Sequence, residues 1–161
     1  GITEYGLSRD LGISREEAER YIERFFDLYP RTRKFMDHLI KLAEKKHYAS
    51  TIFNRRRYLP NINSNNWQRR NYDRRNAINT PIQGSAADLM KVAMLDVQEA
   101  IDEGYISGKL LLQIHDELIL ETPTSEVDDV KPELKEIMED SLKLKIPLKV
   151  DVASGDNWGD L

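Results

Sequence analysis

Ala18, Tyr21, Ile22, Phe25, Phe26 and Tyr29 recur at steps of three and four, with charged residues filling most positions between them. That spacing lines the apolar side chains along one stripe of an α-helix. Ser14-Arg15-Glu16-Glu17 marks the start as a capping box, in which the Ser14 hydroxyl accepts from the third helical amide and Glu17 reaches back; Pro30 marks the stop. A second helix is predicted from Thr32 to Lys46, with Phe35, Met36, Leu39, Ile40 and Ala43 inward and Lys34, Lys41 and Lys45 outward. Tyr48 to Phe53 is β-branched and aromatic, and Asn54 separates it from Arg55-Arg56-Arg57-Tyr58-Leu59-Pro60, which predicts a short hairpin with a basic second arm. From Trp67 to Glu103 the pattern is helical and bent at Pro81, with Ile82, Ala86, Leu89, Met90, Ala93, Val97 and Ile101 as the core stripe beyond the proline.

Gly104 and Gly108 end that helix. Lys109 to Thr122 then reads as two strands, with Leu110, Leu112 and Ile114 alternating before a reversal at His115-Asp116 and Leu118 and Leu120 after it. A last helix is expected from Ser125 to Leu144 through Val130, Leu134, Ile137, Met138 and Leu142, then a strand through Ile146, Leu148, Val150 and Val152. Trp158 in the tail is expected to anchor packing. Strands grouped with helices, without βαβ alternation, argue an α+β fold: a small antiparallel sheet packed against long helices.

Composition narrows the class. The 161 residues include no cysteine, which excludes a disulfide framework, a zinc ribbon and a thiol nucleophile and suits a cytoplasmic setting. Aliphatic runs such as Leu110-Leu111-Leu112 fall far short of a membrane span. The net charge of −4 averages unlike segments. Between residues 31 and 75, thirteen basic residues face three acidic ones; beyond residue 75, eighteen acidic residues face seven basic ones. The middle segment alone has the electrostatic footprint of a nucleic-acid binder.

Three constellations carry candidate chemistry. Asp116-Glu117 places two carboxylates between apolar strands, where a hard divalent cation would offset their desolvation. The same pair also reads as a turn projecting both acids into water, and as a metal site it needs a further ligand from elsewhere. Arg75, Asn79 and Gln83 are spaced by four, which aligns a guanidinium and two amides on one helical face, a donor row suited to phosphates, sugars and minor-groove acceptors. Pro81 lies inside that row. Arg55, Arg56 and Arg57, with Arg69, Arg70 and Arg74, stand among Tyr58, Trp67 and Tyr72, a supply of phosphate forks and stacking surfaces. A P-loop and a G-x-S-x-G elbow are both absent from the sequence.

Taken in order, Arg55-Arg56-Arg57-Tyr58-Leu59-Pro60, Asn79-Thr80-Pro81-Ile82-Gln83-Gly84-Ser85-Ala86-Ala87-Asp88 and Gln113-Ile114-His115-Asp116-Glu117-Leu118 resemble the C-terminal part of family A DNA polymerases, the bacterial DNA polymerase I type. Ser154-Gly155-Asp156-Asn157-Trp158 is similar to that family's ending. The resemblance implies that Asp116 is a catalytic carboxylate holding magnesium in a two-metal site and that Glu117 supports it. It implies that His115 touches the primer end and that Arg75, Asn79 and Gln83 follow the minor groove of a primer-template, with Arg56 and Arg57 also on DNA. Gly84 and its small neighbours would let helix and sheet approach closely. Residues 1–47 would be a helical part of the distal fingers, and residues 48–161 a palm part with the catalytic hairpin at 109–122. Gly1 resembles the last glycine of the family's nucleotide-binding helix. The resemblance therefore implies that this helix and another essential aspartate lie upstream. It also implies that dNTP is bound through that remainder, that the remainder is itself a partner, and that the chain alone is inactive. No membrane role is expected. The rival reading of the same residues is a non-catalytic basic nucleic-acid-binding module.

Overall fold

The structure, a computed structural model, describes residues 2–160 and divides after Ser85 into two compact units. In the first, the Thr3 hydroxyl accepts from the Gly6 amide at 3.2 Å and opens α1 (Glu4–Leu11), a helix the apolar spacing does not announce. Gly12 closes it at φ 67°, a conformation glycine adopts without steric cost. Ser14 caps α2 (Arg15–Leu28), accepting from Glu17 at 3.1 Å as the capping box predicts. Pro30 does more than stop α2. It is the first residue of α3 (Pro30–Lys46), two positions ahead of the expected start, because a first-turn proline loses no hydrogen bond.

β1 (Tyr48–Ser50) and β2 (Arg56–Tyr58) pair antiparallel, Tyr48 with Tyr58 and Ala49 with Arg57. The hairpin lies over a core of Ala43, Ala49, Leu59, Ile62 and Ala77. Three of those five are alanines, so α3, β1 and α4 (Trp67–Asn79) meet at short range. The expected inward stripe of α2 is only partly covered: Ala18 is buried, while Tyr21, Phe25 and Tyr29 are half exposed, as is Phe35 on α3.

The bend at Pro81 is one π-helical turn (Thr80–Gly84), leading into α5 (Ser85–Asp102). The wider turn shifts the helical register beyond it. Ile82 and Ala86, expected in the core stripe, are exposed, and Ser85 and Asp88 take the buried positions; from Ala93 and Val97 onward the expected stripe holds.

In the second unit, Val97, Ala100 and Ile106 pack with Val130 and Leu134 of α6 (Val127–Asp140). β3 (Lys109–Ile114) and β4 (Glu117–Glu121) form a two-stranded antiparallel sheet. Its register slips between Leu110, opposite Leu120, and Leu112, opposite Ile119, so Leu111 is a bulge. The bulge corrects the expected alternation. Leu110 and Gln113 share the face of Leu120 and Leu118, which pack on the core, while Leu112 and Ile114 turn to the other face with Ile119 and Glu117.

The last helix stops at Asp140, short of Leu144. The strand expected at 146–152 does not form: it has no ladder partner among the described residues, and the Val150 amide donates to the Glu139 carboxylate at 2.9 Å instead. Trp158 sits on a short 3-10 turn, 58% exposed, and is no packing anchor. No helix among the described residues is long and apolar enough to cross a membrane. The architecture is α+β, as expected.

Candidate nucleic-acid cleft and carboxylate hairpin

The loop joining β1 to β2 is tied to itself. The Thr51 amide donates to the Arg55 carbonyl and the Asn54 amide to the Thr51 carbonyl, each at 3.0 Å, and the Arg55 amide donates to the Thr51 hydroxyl at 3.2 Å. Asn54 adopts φ 62°, a left-handed conformation its side chain tolerates better than most. The loop therefore delivers three consecutive arginines in one fixed arrangement.

Opposite them runs the π turn. The Ile52 amide donates to the Ser85 hydroxyl at 3.0 Å, and that hydroxyl donates to the Pro81 carbonyl. A Cβ at Gly84 would stand 2.9 Å from Thr51 Cγ2, so only glycine admits this approach without displacement. Gly84 does allow a close approach, as expected, but the opposing group is Thr51 in the loop after β1 and not a strand of the sheet. Between the two walls lies a cleft of about 220 Å³. Arg55, Arg56 and Arg57 line one side; Asn76, Asn79 and Gln83 line the other.

The structure thus brings Asn79 and Gln83 together with Arg56 and Arg57, although Pro81 interrupts the helix between the two amides. Arg75 is exposed on α4, one turn before Asn79 and outside the cleft lining. The Arg56 guanidinium stacks over the Tyr48 ring at 4.8 Å, and Lys46 approaches the same ring at 5.8 Å. Two of the remaining arginines serve the fold instead: Arg70 donates to the Ser64 carbonyl at 2.9 Å, and Arg74 pairs with Glu44 at 2.8 Å across α4 and α3. Asp73 is buried and accepts from the Asn61 amide at 2.7 Å, fixing the loop that carries Leu59 and Ile62 into the core. Thr51 and Asn76 line the cleft and Ser85 bonds across behind it; the sequence did not single out these roles, because short polar side chains carry no spacing signal of their own.

In the second unit, Ile114 pairs with Glu117, which leaves His115 and Asp116 as a two-residue turn. His115 takes φ 52° without being Gly or Asn, and its carbonyl accepts from the Gln113 amide group at 2.7 Å. His115, Asp116 and Glu117 are all exposed. Among the described residues no group of three or more His, Asp or Glu is gathered for a metal, so this hairpin offers at most two carboxylates. Adjacent, exposed, hard oxygen donors do fit magnesium, which takes one or two protein carboxylates and completes its shell with water and substrate phosphates.

The family model for DNA polymerase family A matches residues 1–160. The chain belongs to DNA polymerase family A. Among its relatives, DNA polymerase I of Bacillus caldotenax is 46% identical over 160 residues, covering 99% of this chain and 18% of that protein. DNA polymerase I of Lactococcus lactis subsp. cremoris is 44% identical over 158 residues, covering 98% of this chain and 18% of that protein. The chain therefore spans about a fifth of the length of these family members. A solved structure of the POL domain of Pol1 from M. smegmatis, in complex with DNA primer-template and dNTP, superposes with a TM-score of 0.90 at 41% identity, over 98% of this chain and 28% of that one. The family resemblance of the three motifs extends to the whole α+β architecture.

Proposed function

We propose that this chain is part of a DNA-directed DNA polymerase, contributing a primer-template track through its first unit and two catalytic carboxylates through its second. The observation that carries the reading is the cleft in which Arg56 and Arg57 face Asn79 and Gln83. Guanidinium forks suit phosphate oxygens, and the amide donors suit the N3 and O2 acceptors that the minor groove presents at every base pair. Such a track holds a duplex without choosing its sequence. Arg75 extends the donor row along α4, and His115 at the hairpin turn reaches the primer end.

Residues 1–47 belong on this reading to the distal fingers and residues 48–161 to the palm. The reaction is in-line attack of the primer 3′-hydroxyl on the α-phosphate of dNTP, with pyrophosphate leaving. Asp116 and Glu117 would hold magnesium, which when bound polarises the reacting oxygens. The chain's own side chains bind and orient: the cleft fixes the primer-template, and the exposed turn presents two carboxylates at its tip. Because the hairpin offers only those two, the isolated chain is expected not to extend primers; dNTP binding and the remaining catalytic carboxylate come from the rest of the protein. The family's membership and the named relatives support a nucleotidyltransferase, and a cytoplasmic location accords with that role.

The test is primer-template binding by the whole polymerase across a range of salt. Replacing Arg56 and Arg57 by Ala should weaken binding and lower the salt slope by about two phosphate contacts, whereas Gln83→Ala should weaken binding with the slope unchanged. Binding that ignores all three substitutions would overturn the cleft assignment. Retained DNA binding without any magnesium-dependent extension would instead favour the non-catalytic module.

A further inference from the structure

The cleft has two walls on separate elements, and one buried side chain ties one to the other. Ser85, 8% exposed, accepts from the Ile52 amide at 3.0 Å and donates to the Pro81 carbonyl. Ile52 lies in the loop that leads to Arg55, Arg56 and Arg57; Pro81 lies in the turn that carries Gln83 and directly follows Asn79, the last residue of α4. The backbone amide of Ser85 is committed elsewhere, to the Ile82 carbonyl, so only the hydroxyl reaches across. A serine hydroxyl has one proton to give and lone pairs to receive, and here both capacities act in one chain of bonds. The second close approach, Gly84 against Thr51, brings the walls near but supplies no directional bond.

We infer that Ser85 is a positioning residue: its hydroxyl sets the register between the arginine loop and the amide-bearing π turn, and so fixes the distance between phosphate forks and minor-groove donors. This rests on the proposed primer-template reading of the cleft. Without the hydroxyl the Ile52 amide loses its partner, the internally tied loop can shift as one body against the turn, and the arginines no longer meet the phosphates while the amides hold the groove. Phosphate contacts position a duplex and depend on geometry across several ångströms, so a small shift removes a contact outright.

The experiment uses the whole polymerase and a primer-template duplex, with affinity measured as a function of salt for Ser85→Ala, Ser85→Thr and Gln83→Ala. Ser85→Ala should weaken binding by roughly threefold to tenfold, the scale of one neutral hydrogen bond, and lower the salt slope by about one contact. Ser85→Thr, which keeps the hydroxyl, should restore both quantities. A purely structural serine would change thermal stability and leave the slope where it was. A normal slope in Ser85→Ala, or failure of threonine to restore it, with Gln83→Ala still weakening binding, would overturn the inference alone. Unaltered binding in Gln83→Ala as well would overturn the reading of the cleft on which it rests.

Discussion

At the scale of single residues, the local devices of the fold are the most legible part of the sequence. Ser14 caps where a capping box says it should, and Gly84 sits where a side chain would strike Thr51. Gly84→Ala should therefore destabilise the first unit by about 1–3 kcal/mol, the usual cost of overpacking, and open the Ile52 amide to solvent. Hydrogen exchange at Ile52 in the whole polymerase checks this: faster exchange is expected, and unchanged protection would show that the walls can part without loss. Asn66→Ala should cost about 1 kcal/mol, because Asn66 accepts from the Arg69 amide at 3.1 Å to start α4; denaturant unfolding reads it, with primer-template affinity unaffected. The arginines were less legible. Arg56, Arg70 and Arg74 look alike in a basic run, yet one lines the cleft while the others hold a carbonyl and a carboxylate within the fold. Which acceptor a guanidinium finds depends on residues distant in sequence, such as Glu44 for Arg74.

At the scale of elements, periodicity located most helices and both hairpins but missed features that depend on one residue too many. The π turn carries such an extra residue and moved Ile82 and Ala86 out of the core; the bulge at Leu111 is another and moved Leu112 and Ile114 off the face of Leu110. Apolar residues line both sides of β3, so alternation alone does not reveal the slip. A bulge increases the local twist of its strand, and this one lies in the strand that leads to Asp116. Deletion of Leu111 keeps every remaining cross-strand pair and removes only that twist. It should reduce nucleotide incorporation by the whole polymerase while primer-template affinity holds; equal incorporation would mean that the bulge does not aim the turn. The strand expected at 146–152 shows the converse limit. A β pattern states what a segment is able to pair with, and here the Val150 amide goes to the Glu139 carboxylate instead of a neighbouring strand.

At the scale of the whole molecule, net charge was the least informative quantity and its distribution the most. A chain of net charge −4 carries a strongly basic segment at 31–75, and part of that segment forms the arginine wall of the cleft. Membership of DNA polymerase family A was legible because three motifs stand in order, and the match over residues 1–160 agrees with them. What the carboxylate hairpin would join to form a site was not legible, since the chain spans only 18% of its relatives' length. On the proposed function Asp116 acts in nucleotidyl transfer and not in holding DNA. Single-nucleotide incorporation by the whole polymerase carrying Asp116→Ala, with primer-template affinity measured at the same salt, tests it most directly. Incorporation should be lost while affinity is unchanged; incorporation that survives, or is lost only in step with DNA binding, would overturn this role for Asp116.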